Sequence, residues 1–142
     1  MASNDVFVFG SNQKGLHGAG AALDARHFYG AVQWRGAGFQ GPGLHGTSYA
    51  IRTKDKFLKP LPLSLIRPDV EQFLRDAQDH PEMNFLVSRV GTGYAGKKDY
   101  DMARMFDGAP ENCGFDPFWS QWGFRVWDHP PLSLRNQMYA TT

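Results

Sequence analysis

Glycines recur in this chain where a backbone would have to wrap around an anion. Of the 16 glycines, most fall within residues 10–20, 36–46 and 91–96. The first cluster reads Gly10-Ser11-Asn12-Gln13-Lys14-Gly15-Leu16-His17-Gly18-Ala19-Gly20, and the last reads Gly91-Thr92-Gly93-Tyr94-Ala95-Gly96. Glycine lets backbone N–H groups approach a ligand closely and adopts the positive φ that a curled, anion-binding loop requires. A helix starting after each loop adds unpaired N–H donors and the positive end of a dipole. Two such loops side by side would hold the two phosphates of a diphosphate. The candidate contacts are Gly10, Ser11, Asn12, Gly15, Gly18, Ala19 and Gly20 in the first loop, and Gly91, Thr92, Gly93, Tyr94, Ala95 and Gly96 in the second. Neither loop is a Walker A sequence, and the first lacks the full dinucleotide fingerprint with its downstream acid. Tight turns without a ligand also use glycine, so the spacing alone leaves both readings open.

Several side chains near these loops could add chemistry. Asn12 could face a ligand or close an Asx turn on its own loop. His17, between glycines, could serve as a pH-sensitive donor or general acid, or stand as an exposed loop histidine. Lys54 could hold a phosphate, and Asp55 could activate water or bind a ribose hydroxyl; a solvated Lys-Asp turn is the alternative. Tyr94 could stack on a ring or close over a sugar, and Lys97 and Lys98 could attract an anion. Cys113 has no histidine nearby in sequence and no activating motif, which argues against a thiol nucleophile. No His or Cys pair has metal-ligand spacing, so neither a structural metal nor a cofactor is expected. Trp119, Trp122 and Trp127 read as core or interface rather than as a base-stacking platform.

The elements that must position these residues form a regular pattern. Val6-Phe7-Val8-Phe9 is apolar on both faces, as in a strand covered by helices on each side. The first glycine loop follows, then a predicted helix over Ala19–Tyr29 stopped by Gly30. Residues 31–46 read as irregular. Tyr49-Ala50-Ile51 predicts a second strand ending at Thr53-Lys54-Asp55. The longest predicted helix is Ser64–Asp79, with Ile66, Val70, Phe73, Leu74 and Ala77 on one stripe and Pro68 in its first turn. Asn84–Val90 predicts a third strand, leading into the second glycine loop. A helix over Asp99–Phe106 follows, with Asp99 expected as its N-cap. Strand, loop and helix thus alternate three times, which predicts an α/β layer fold with a largely parallel or mixed sheet flanked by helices. Phe124-Arg125-Val126-Trp127 is a candidate closing strand, and Asp128–Thr142 an extended tail.

The chain has 142 residues, enough for one domain with a buried core, and this reading takes 1–142 as that domain. A formal net charge of +1 supplies no global basic field, which argues against general nucleic-acid binding. The single cysteine fits a reducing compartment. No secretory leader and no membrane-length apolar stretch is evident, so a cytoplasmic protein of a bacterium or an infected host cell is the expectation.

Residues 6–22, V-F-V-F-G-S-N-Q-K-G-L-H-G-A-G-A-A, closely resemble an uncharacterised family of phages and bacteria. The resemblance runs through Ser48–Asp55, Val90–Gly96 and Phe106–Cys113, and leaves 120–142 as a C-terminal extension. More distantly, the two loops look like those of macrodomains. There an Asn-Ala-Ala-Asn strand end leads into a glycine run, and a later strand ends in Ser-Thr-Gly-x-aromatic-Gly. On that comparison Asn12 matches the second asparagine, which faces the distal ribose. Gly15, Gly18 and Gly20 match the glycine run, and Thr92, Gly93 and Gly96 the second phosphate loop. The resemblance implies a three-layer macrodomain-like fold that binds ADP-ribose or another NAD-derived nucleotide. The chain departs from the pattern by having only nine residues before Gly10, with Asp5 inside the first strand where macrodomains carry an adenine-recognising aspartate well upstream of the loop, and by carrying its loop aromatic, Tyr94, one place early. Three functions stay open. One is a module that senses or sequesters the nucleotide. Another is a hydrolase of ADP-ribosyl or phosphate-ester bonds using Asn12, His17 and Asp55. The third is a ligand-free structural or interaction protein, with the aromatic C-terminal segment as a homodimer contact.

Overall fold

The structure is a computed structural model, and it describes residues 4–132. Five strands and three α-helices follow in the order β1 (Asp5–Asn12), α1 (Gly20–Phe28), β2 (Gly38–Gly43), β3 (Gly46–Lys54), α2 (Leu63–Asp79), β4 (Asn84–Val87), α3 (Asp99–Arg104) and β5 (Cys113–Phe115), closed by a short 3₁₀ helix at Pro117–Trp122. They form one sheet in the order β2-β3-β1-β4-β5. β1 lies parallel to both β3 and β4, β5 is parallel to β4, and only β2 runs antiparallel, against β3. The sheet is therefore mixed, with a parallel centre.

Alternation of side chains along β1 explains why both faces need cover. Val6 and Val8 point into one core, joined by Tyr49 and Ile51 of β3, Phe85 and Val87 of β4, and the α2 stripe Ile66, Val70, Phe73 and Ala77. Phe7 and Phe9 point into a second core, where Ala22 and Ala25 of α1 pack with Tyr29, Ala31 and Ala50. α1 thus covers one face and α2 with α3 the other, giving three layers. Phe73 is wholly buried, and its ring meets Tyr49, Phe85 and Phe106 at centroid distances of 5.1, 5.3 and 5.9 Å. Aromatic pairs at such spacing add to the area term, so this cluster ties α2 and the turn after α3 to the sheet.

The structure departs from the sequence reading in several places. Pro68, expected in the first turn of its helix, lies inside α2, which already starts at Leu63. The glycine-rich stretch read as irregular contains β2, an antiparallel edge whose Phe39 pairs with Tyr49. Three glycines and a proline in six residues hide its strand character. The three-residue strand β5 was too short for any periodicity to show. Val126 does meet β5, through an isolated parallel bridge to Phe115 rather than a full strand. Asp99 is not the N-cap of α3; Lys98 holds that position. The Asp99 carboxylate instead takes the Arg89 guanidinium at 2.8 and 2.7 Å and the Trp119 indole N–H at 2.8 Å. A buried indole donor and a fork-shaped cation outcompete a helix amide for that carboxylate. Trp119 is wholly buried in the main core, and Phe124 packs beside it. The C-terminal extension expected at 120–142 packs on the fold as far as it is described: the Leu132 N–H donates to the Tyr29 hydroxyl at 2.7 Å. Residues 133–142 lie outside the described region.

Candidate anion-binding cleft

Adjacent parallel strands whose connections leave to opposite faces of a sheet create a crevice at their C-terminal ends. β1 leads to α1 on one face, and its neighbour β4 leads to α3 on the other. The end of β3 flanks β1 on its other side. A cleft of about 820 Å³ opens there. Gly10, Gly18, Ala19 and Gly20 from the first loop line it, as do Gly91, Thr92, Gly93, Tyr94 and Ala95 from the second. Lys54 contributes from the end of β3. A Cβ at Gly10 would come within 3.3 Å of both the Gly91 nitrogen and the Thr53 hydroxyl, so glycine permits the three strand ends to converge.

Both loops curl on themselves yet keep donors in hand. In the first, Gln13 N–H donates to Lys54 O and Gly15 N–H to Asn12 O. Beyond that, the amides of Gly18, Ala19, Gly20 and Ala21 meet no acceptor among the described residues. The last two open α1, whose N-cap residue Ala19 offers no side-chain acceptor. In the second loop, Gly96 N–H donates to Gly93 O and Lys97 N–H to Gly91 O, while the amides of Gly93, Tyr94 and Ala95 meet no acceptor among the described residues. Uncommitted amides at a helix N-terminus and in a tight loop are what an anion binds.

The charged groups point the same way. Among the described residues two cations line the cleft, and no carboxylate or histidine does. Arg89 is committed to Asp99, which lies below the usual carboxylate range chiefly because of that hydrogen-bonded pair. Lys54 makes no ion pair among the described residues, and its Nζ lies 5.4 Å from the centre of the Tyr94 ring. Tyr94 is largely exposed, and its ring would lie 3.3 Å from a Cβ at Gly20. The aromatic side chain thus reaches from the second loop to the first.

Other residues singled out in the sequence lie elsewhere. Asn12 borders the cleft, but its side chain is spent on its own loop, accepting from Leu16 N–H at 3.0 Å and donating to Leu16 O at 2.8 Å. Gly15 is required for packing, because a Cβ there would sit 2.3 Å from the Arg35 nitrogen. Ser11 is buried and does not line the cleft. His17 is wholly buried under the loop, edge-on to Phe9, with Nε2 3.0 Å from the Arg35 carbonyl. That contact requires the proton on Nε2, and burial pushes the imidazole pKa below its ordinary value. His17 is therefore neither an exposed loop residue nor a side chain facing the cleft. Asp55 and Gly96 are also absent from the lining. The Asp55 carboxylate accepts from Phe57 N–H at 2.8 Å and Lys59 N–H at 3.0 Å, closing a turn. Lys97 and Lys98 do not line the cleft either. Burial pushes the Cys113 thiol up to about 12, leaving it inert.

The sequence reading missed Leu16, Gln33, Leu58, Ser88 and Arg89, which also line the cleft. Ser88 and Arg89 lie just before Val90 and the second loop, within the stretch Asn84–Val90 read as a strand. Gln33 and Leu58 carry no local signal, because each is placed by the turn it sits in rather than by a pattern of residue types.

No family model and no curated protein matches the chain. Solved structures do. A macrodomain of Mycobacterium tuberculosis DarG superposes with a TM-score of 0.56 at 17% identity, covering 90% of this chain and 89% of that one. A protein of unknown function from Bacteroides thetaiotaomicron gives a TM-score of 0.56 at 15% identity over 75% of this chain and 80% of its own. A second Bacteroides thetaiotaomicron protein gives 0.55 at 16% identity, covering 82% and 91%. The fold is thus a mixed α/β sheet flanked by helices, of the kind found in macrodomains.

Proposed function

We propose that the chain is a nucleotide-binding module whose cleft holds a diphosphate, with ADP-ribose or a related NAD-derived nucleotide as the ligand. The observation that carries this reading is the meeting of two glycine loops at one crevice, each with uncommitted backbone amides. The start of α1 without a side-chain cap and Lys54, which makes no ion pair among the described residues, add positive potential there. The fold shared with a macrodomain and the loop resemblance support ADP-ribose over other diphosphates. Binding rather than hydrolysis is favoured because Asp55 and His17, the residues a hydrolase would use, are engaged in a turn and in the core. Calorimetric titration with ADP-ribose, cyclic ADP-ribose isomers and inorganic diphosphate tests the reading. Saturable heat with ADP-ribose is expected; silence with all of them removes it.

A further inference from the structure

The turn that follows β3 holds an apolar residue against the cleft in a conformation that side chains rarely adopt. Leu58 has φ +63° and lines the cleft, with 46% of its surface exposed. A left-handed backbone is costly for a residue with a Cβ, and an aliphatic side chain offers no local hydrogen bond in return. Such outliers persist only where the surroundings over-determine them, and they gather at ligand sites.

Here Asp55 braces the turn, beside a bridge between Lys54 and Pro60. The Asp55 carboxylate oxygen Oδ1 accepts from Phe57 N–H at 2.8 Å and from Lys59 N–H at 3.0 Å. Its backbone completes the turn: Asp55 N–H donates to Lys59 O at 2.7 Å, and Leu58 N–H donates to Asp55 O at 3.0 Å. The chain then returns along β3, with Leu61 N–H on Thr53 O. Leu58 is fixed a few residues from Lys54, a cation of the same cleft.

We infer that Leu58 is a specificity-determining contact for the planar, non-phosphate end of the ligand, and that Asp55 is the positioning residue that holds it there. An anion gains nothing from an aliphatic group, so a strained leucine in a phosphate cleft implies a second, apolar part of the ligand. Among the described residues no carboxylate lines the cleft, and an aliphatic side chain such as Leu58 reads a base by its face and shape. The inference rests on the nucleotide reading above and names the part of the ligand that Leu58 selects.

The experiment compares ADP-ribose with inorganic diphosphate as calorimetric ligands for the full chain and three variants. Leu58→Gly suits the left-handed position and keeps the turn. It is expected to weaken ADP-ribose about tenfold, the scale of lost apolar pocket contact, with diphosphate changed by no more than about twofold. Asp55→Ala is expected to reproduce that split, because the turn loses its acceptor. Asp55→Asn retains Oδ1 and is expected to bind as the parent does, which a base or a charged ribose contact would not allow. A Leu58→Gly ratio equal to the parent's overturns the contact, and an Asp55→Asn variant as weak as Asp55→Ala overturns the positioning role. If the unaltered chain binds neither ligand, the nucleotide reading fails and this inference falls with it. If it binds both and only the ratio refuses to move, this inference alone is wrong.

Discussion

Two glycines separate the demands of binding from those of folding. Gly18 and Gly93 both line the cleft, neither has positive φ, and a Cβ at either would meet no atom within 4 Å. Gly15 is the opposite case, with φ +75° and backbone atoms of residues 34 and 35 in the way. Gly18→Val and Gly93→Val are therefore expected to fold with stability within about 1 kcal/mol of the parent. Their side chains enter the space between the loops, so inorganic diphosphate and ADP-ribose should both bind at least tenfold more weakly, on the order of 1.4 kcal/mol. Denaturant midpoints alongside titration heats check both halves. Unchanged affinity for either ligand would remove the amides of these loops from the site. Asn12 shows the limit of reading single residues. Its type and place at a strand end were legible, but only the fold reveals that both polar atoms are taken by Leu16.

At the scale of elements, α1 carries a stability cost that its place explains. Its N-cap residue Ala19 is extended, with φ −155°, and leaves the first amides without a side-chain acceptor. An aspartate there would satisfy one of them and stabilise the helix by about 1 kcal/mol. The same carboxylate would occupy the anion's donors and repel a phosphate. Ala19→Asp is accordingly expected to raise the melting temperature and to lower diphosphate affinity by tenfold or more. Differential scanning calorimetry with a matched titration reads the trade-off; a gain in both would show that this helix end does not face the ligand. The helix itself was visible in sequence to within a residue, since Ala22, Ala25 and Gly30 mark its face and stop. The start of α3 at Asp99 was visible too, but its cap was not, because the Asp99 carboxylate is drawn away by Arg89 and Trp119, one of them twenty residues further along the chain.

Across the whole molecule, loop one is bound to the rest of the fold by a buried polar cluster around His17. Its N–H donates to Gln33 Oε1 at 3.2 Å, its Nε2–H to Arg35 O, and Gln40 donates to the same carbonyl at 2.6 Å. Arg26 adds an unfavourable positive field. The folded imidazole titrates below 6.5 while the unfolded one titrates near it, so the unfolded chain binds more protons between those values. Stability is then intact above about pH 6.5 and declines as acid takes the pH down through the folded value. Urea unfolding of the parent and of His17→Gln should show the parent losing more stability between about pH 7.5 and 5. Parallel losses would place the proton uptake elsewhere.

The sequence by itself determined the layers and the loops. The doubly apolar run Val6–Phe9 required cover on both faces, and the glycine spacing marked two flexible strand ends. Both follow from local chemistry, since side-chain alternation and backbone freedom belong to single residues and their neighbours. Tertiary structure alone decided which of those residues share the cleft. β4 pairs with β1 across some eighty residues, bringing Gly91 beside Gly10. The same folding buries His17, turns Asp55 into a brace and delivers Leu58 to the site. Contacts between residues far apart in the chain depend on how strands order themselves in the sheet, and that order leaves no periodic trace in the chain.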